Sequence, residues 1–90
     1  MARIRNLLEL SPRHLRPQVA DTLPDVPTLH AAYTAFGTLV AVPNPLPQGR
    51  AASRLPEDIL GVLRYARDLD CDYILIDTDA DVDDDLPLWD

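Results

Sequence analysis

Lysine is absent from these 90 residues, and all eight basic side chains are arginine, a usage that suggests a GC-rich bacterial genome. Cysteine occurs once, at Cys71, so no intramolecular disulfide is available and an oxidising compartment is not needed. The three glycines lie apart, and no glycine-rich phosphate loop can be assembled from them. Apolar runs are short. None approaches the roughly 20 residues of a membrane span, and "MARIRNLLEL" is too brief and too interrupted for a signal peptide. These absences predict a cytoplasmic protein of a bacterial host cell, without a membrane partner.

What is present is acid, and it is concentrated. Residues 1–67 carry a formal charge of +3, whereas residues 68–90 hold ten aspartates and no base. An acidic end repels nucleic acid and attracts basic surfaces, which argues against direct DNA or RNA binding. The apolar fraction of 47% is ordinary for a globular chain, so the sequence as a whole should fold. The length suits one domain over 1–90 with a single modest core.

Periodicity and turn chemistry predict the order β-α-β-β-α-β. A first strand covers Ile4 to Leu10, and Ser11 to Arg16 forms a turn. Pro17 then opens a short helix with Val19, Ala20 and Leu23 inward, because proline is tolerated at the first helical position. "LHAAYTAFGTLVAV" reads as a hairpin turning at Phe36-Gly37. Residues 43–55 are a Pro-rich, extended and mobile loop. "LPEDILGVLRYARDLD" is the main helix, with Glu57 and Asp58 in its first turn and Arg64 and Arg67 near its end, as the helix dipole favours. Its inward stripe is Ile59, Val62, Leu63, Ala66 and Leu69. Tyr73 to Ile76 is continuously apolar, as expected of a strand covered on both sides. The expected fold class is α+β, a ferredoxin-like two-layer sandwich of an antiparallel sheet and two helices.

The acidic C-terminal segment, 77–90, holds the candidate site. Asp77, Asp79, Asp81, Asp83 and Asp85 occupy positions one, three, five, seven and nine of an EF-hand-like loop, but Val82 stands where the loop needs glycine and Leu88 where it needs glutamate. A strand ending in Asp-x-Asp also suggests phosphatases of the haloacid dehalogenase type, yet Asp81 stands at the expected Thr or Val and the chain is too short for that fold. His14, His30 and Cys71 lack zinc-site spacing, and no nucleophile sits in a catalytic signature. His14, in a proline-bounded turn, is expected to bond nearby backbone. The expectation is therefore a non-enzyme with no metal or cofactor.

Electrostatics remains. If extended, Asp77, Asp79, Asp81, Asp83, Asp84 and Asp85 span roughly 30 Å, one charge per ~5 Å against one per ~3.4 Å on a nucleic-acid strand. A groove built for phosphates could accept such a segment, with Asp68, Asp70 and Asp72 as further candidates. The alternative is a solvated tail that serves solubility. Leu86, Leu88 and Trp89 follow at once and are costly to leave in water. Either they fold back on the domain or Trp89 anchors a partner.

"LELSPRHL", "FGTLVAVP", "LPEDILGVLRYARDLDCDYILIDTDAD" and "LPLWD" resemble, in that order, a small uncharacterised domain family carried on proteobacterial plasmids, integrative elements and prophages. Ser11, His14, Gly37, Asp77, Asp79, Leu86 and Pro87 are the matching positions, and Arg16 departs from the small hydroxyl residue expected before the helix. The resemblance implies a fold and a genomic setting. Small acidic proteins of mobile elements are similar in these respects to anti-CRISPR proteins, some of which act as DNA mimics. The implied partner is a basic nucleic-acid-binding protein or crRNA-guided complex, such as a type I Cascade-type assembly. The rival is a phage or plasmid accessory or antitoxin-like module whose hairpin and main helix make the contacts. Target and oligomeric state are left open at this level.

Overall fold

A computed structural model describes residues 2–89. The chain forms β1 (Leu7–Leu10), α1 (Pro17–Ala20), β2 (Ala31–Thr34), β3 (Gly37–Ala41), α2 (Arg50–Ser53), α3 (Glu57–Asp68) and β4 (Tyr73–Ile76), with 3-10 turns at Pro12–His14 and Leu23–Asp25. The fold class is α+β.

The sheet order is β1-β4-β3-β2. β4 runs parallel to β1 and antiparallel to β3. This corrects the expected ferredoxin-like arrangement: the sheet is mixed, and of the two expected helices the first, α1, is a single turn while α3 is the long one. The most continuously apolar strand takes an interior position with both edges paired. β1, which carries Glu9, takes an edge. β1 is also shorter than expected, because its ladder ends where the four residues of β4 end, and Ile4 is left 93% exposed.

α1 stops after one turn. Thr22 turns its hydroxyl back onto the Gln18 carbonyl at 2.6 Å, and Pro24, which has no N–H for a continuing helix, opens the next 3-10 turn. Leu23 still reaches the core, from that turn instead of from the helix. α3 matches its reading: Ile59, Val62, Leu63 and Ala66 are buried. Leu69 is half exposed, because it caps the helix and lies past the stripe. Residues 43–55 are also more built than expected, with α2 inside them, Leu46 packed on the core and Leu55 buried. Arg67 ties the start of this segment to α3 by donating to the Val42 carbonyl at 3.0 Å.

The core lies between α3 and one face of the sheet. Leu10, Leu15, Leu23, Ile59, Leu63 and Ile74 are each at most 1% exposed, and a side chain buried to this degree contributes about 1.5–3 kcal/mol. The β2–β3 hairpin turns through Ala35 and Phe36, with Thr34 accepting the Phe36 N–H and donating to the Gly37 carbonyl. Gly37 is required for a different reason than the turn. Its φ is +139°, and a Cβ there would run into the Ile76 carbonyl oxygen, so the approach of β3 to β4 depends on glycine.

Candidate functional site

The acidic segment leaves β4 as a strap with a regular shape. The Asp77 N–H donates to the Leu10 carbonyl at 3.0 Å and extends the β1–β4 ladder by one bond. Asp77 then forms an Asx turn: Oδ1 accepts the Asp79 N–H at 2.9 Å, and the Asp77 carbonyl accepts the Ala80 N–H at 3.0 Å. Six residues on, the pattern repeats. Asp83 Oδ1 accepts the Asp85 N–H at 2.9 Å, and its carbonyl accepts the Leu86 N–H at 3.3 Å. The run is therefore two turns joined by a short extended link, which corrects the picture of one continuous rod of charge.

His14 holds the second turn in place. Ser11 starts the 3-10 turn by accepting the Arg13 N–H, and this buries His14 to 1% exposure. Its Nδ1 lies 3.0 Å from the Pro87 carbonyl, and its Nε2 lies 2.9 Å from the Asp83 nitrogen. A carbonyl only accepts, so Nδ1 carries the proton, and Nε2 then accepts the Asp83 N–H. The contacts fix a neutral imidazole in one tautomer. His14 bonds backbone as expected, but backbone 69 and 73 residues away instead of nearby.

Tyr65, on the third turn of α3, closes the strap from the other side. Its hydroxyl donates to Asp83 Oδ2 at 2.8 Å and lies 3.5 Å from Asp85 Oδ2. The bond to Asp83 is the main cause pushing the Tyr65 phenol up to about 12. The Asp85 N–H, and then the Tyr65 hydroxyl, hold the Asp83 carboxyl below its ordinary value. Both shifts favour the ionic pattern of the docked strap.

The far end folds back. Leu86 packs on the core, and the Trp89 N–H donates to the Arg13 carbonyl at 2.9 Å. The Arg16 guanidinium lies over the Trp89 ring at 4.8 Å. Arg16 is held in turn by Asp58, whose side chain is fully buried: Oδ2 accepts the Arg16 N–H at 2.8 Å, and Oδ1 lies 3.5 Å from Nη2. Arg16, the position that departs from the small hydroxyl residue, is thus capped by Asp58 and stacked on Trp89. Its side chain occupies one face of the indole, so Trp89 serves first as an internal anchor.

The six aspartates of the run divide by role. Asp77 and Asp83 are half-buried and shape the turns, while Asp79, Asp81, Asp84 and Asp85 are exposed. Asp68 lies one helical turn beyond Tyr65 and is exposed. Asp70 and Asp72 lie at the start of β4, away from the strap, and Asp72 accepts the Asn6 N–H and pairs loosely with Arg67. Among the described residues, no three His, Cys, Asp or Glu side chains converge as a metal site requires. The EF-hand-like spacing is spent on backbone turns. Cys71 is buried, and His30 is exposed. Among the described residues, no helix is long and apolar enough to cross a membrane. Asp90 lies outside the described residues.

Sequence reasoning missed Tyr65, Asp58 and the backbone of Arg13. Only Asp58 carried a signal, as an acid in the first turn of a helix, and that signal pointed to the dipole and not to Arg16.

A family model described as the C-terminal domain of a family of unknown function, DUF5983, matches residues 7–90. The chain belongs to this family. The match spans every element from β1 to the end of the strap, so His14 and its backbone partners all fall within the DUF5983 domain. No curated protein and no solved structure matches the chain.

Proposed function

We propose that this domain is a non-catalytic acidic inhibitor that occupies a basic nucleic-acid groove on another protein. The observation that carries the reading is the bridge made by buried His14 between Asp83 and Pro87. A tail serving solubility alone gains nothing from a docked shape. A surface that must fit a cleft gains affinity by being ordered before it binds. Asp79, Asp81, Asp84 and Asp85 are the charges offered. The specific form of the proposal, in a mobile-element setting, is an anti-CRISPR protein that binds a type I Cascade-type complex and excludes target DNA in the host cytoplasm.

The test mixes the purified protein with candidate crRNA-guided complexes and measures target DNA binding. Inhibition that falls steeply with salt is expected. Replacing Asp81, Asp84 and Asp85 by Asn is expected to weaken it at least tenfold while leaving the turns intact. Full inhibition by that triple variant would overturn the mimic reading.

A second reading has one observation behind it. Tyr33 and Phe36 are 63% and 76% exposed on the β2–β3 hairpin, and an accessory or antitoxin-like module would use such a tip as its contact. Phe36→Ala separates the two: it abolishes binding in the second reading and leaves the first unchanged.

A further inference from the structure

The sheet is covered on one side only. Leu8, Leu10, Val40, Ile74 and Ile76 point to the core under α3. By strand alternation and register, the opposite face carries one row of Leu7, Tyr73 and Ala41 and a second row of Glu9, Leu75 and Leu39. Leu7 is 46% exposed, and Tyr73, Leu75, Leu39 and Ala41 are only partly buried and stand apart from the core cluster. Outward positions on a half-wet sheet are normally polar, whereas an unbroken run such as Tyr73 to Ile76 belongs to a strand covered on both faces. The second cover is missing from the single chain. A shallow hollow of about 370 Å³, lined by His30, Leu39, Ala41 and Tyr73 among others, lies on this face.

We infer that a second copy of this chain supplies the cover, in a two-fold dimer packed sheet to sheet with the β4 strands antiparallel. Charge selects that occupant and that orientation. Because β1 and β4 are parallel, Arg3 and Arg5 enter at one end of the face, beside Tyr73 and Ala41. Asp77 leaves at the other end, bonded to Leu10, with Glu9 on the edge strand next to it. Asp72, the acid that shares the arginine end, pairs loosely with Arg67. A two-fold axis in the sheet plane, perpendicular to the strands, sets the row of Leu7, Tyr73 and Ala41 over the second copy's row of Glu9, Leu75 and Leu39. It also sets the arginine end of each copy over the acidic end of the other. An axis along the strands would oppose arginine to arginine. Aligned sheets about 10 Å apart are an ordinary packing, and the dimer leaves both straps facing outward on their own layer.

Sedimentation velocity on the full chain tests this with two charge-reversed variants, Arg3→Glu with Arg5→Glu, and Glu9→Arg. The wild type is expected to sediment as a dimer at about 100 μM, a concentration suited to an interface at the small end of the stable range. Each variant is expected to self-associate at least tenfold more weakly, with an unchanged circular dichroism spectrum. An equimolar mixture of the two is expected to restore the dimer, since the reversed ends of the two variants then carry opposite signs where they meet. A wild type that remains monomeric at millimolar concentration would overturn the inference and assign the face to a different protein. Variants that dimerise as tightly as wild type would overturn it by placing the interface elsewhere. The strap residues used to test DNA exclusion are absent from this experiment, so the two results are independent.

Discussion

The two Asx turns of the acidic segment share a local design and differ in everything around it. Asp77 and Asp83 each accept the N–H two residues on through Oδ1 and the N–H three residues on through the carbonyl. The first turn is joined to the domain by one ladder bond, from Asp77 to Leu10. The second is held by His14 on its backbone and by Tyr65 on its carboxylate. Local sequence therefore shapes both turns, and tertiary contacts decide which is locked. The first is an extension of the sheet; the second is a docked element with a latch.

Removing the latch should separate the two most sharply. His14→Ala leaves the Asp83 N–H and the Pro87 carbonyl without their partner and opens a void where a fully buried ring stood, at a cost of about 2–4 kcal/mol. Chemical denaturation should read that loss. Amide exchange should quicken across Asp83 to Leu86 and stay unchanged at Asp77, whose bond to Leu10 does not involve His14. Equal quickening in both turns would mean that they form one unit.

Trp89→Ala is expected to act less, by about 1 kcal/mol, through loss of the Arg16 stacking. Its effect should be confined to residues after Leu86, because Leu86 has its own seat on the core. Thermal denaturation of both proteins followed by circular dichroism measures the loss, since the variant lacks the only tryptophan.

The smallest effect should come from pH, and it should touch only the second turn. Asp83 is held below the ordinary carboxylate value, so the fold favours its ionised form. That stabilisation is complete above the unfolded value and is lost as pH falls through the lowered one. Tyr65 is raised from 10.0 to about 12, so the fold favours its neutral form. Its share is complete below 10 and is lost as pH rises through about 12. The Tyr65–Asp83 bond should persist between these limits and loosen beyond either. Tyr65→Phe should let the Asp83 titration rise toward the ordinary carboxylate value and remove the alkaline limb, as seen by NMR titration of the carboxyl and by tyrosinate absorbance.

Local signals carried much of the fold. Pro17, the hairpin around Phe36, the stripe of α3 and the run from Tyr73 to Ile76 each formed the expected element, because each depends on neighbours within a few residues. The sheet order was not legible. It turns on β4 pairing with β1, 66 residues upstream, and no periodicity in either strand names its partner. The strap shows the same division. Its charge was plain, but the cost of Leu86, Leu88 and Trp89 in water left two outcomes open, and the structure shows Leu86 and Trp89 folded back with Leu88 43% exposed. The role of His14 depends on two backbone atoms about 70 residues away, and a local reading assigns that ring to its own turn. The uncovered sheet face was half legible: the sequence describes a strand with two covers, and the single chain provides one.

The account rests on a strap that is rigid because His14 docks it. Backbone ¹⁵N relaxation across residues 81–89 of the free protein tests this most directly. Order parameters near ~0.85, equal to those of α3 and β4, are expected. Values below ~0.6 beyond Ala80, with Asp77 to Ala80 still ordered, would show a free acidic tail and contradict it.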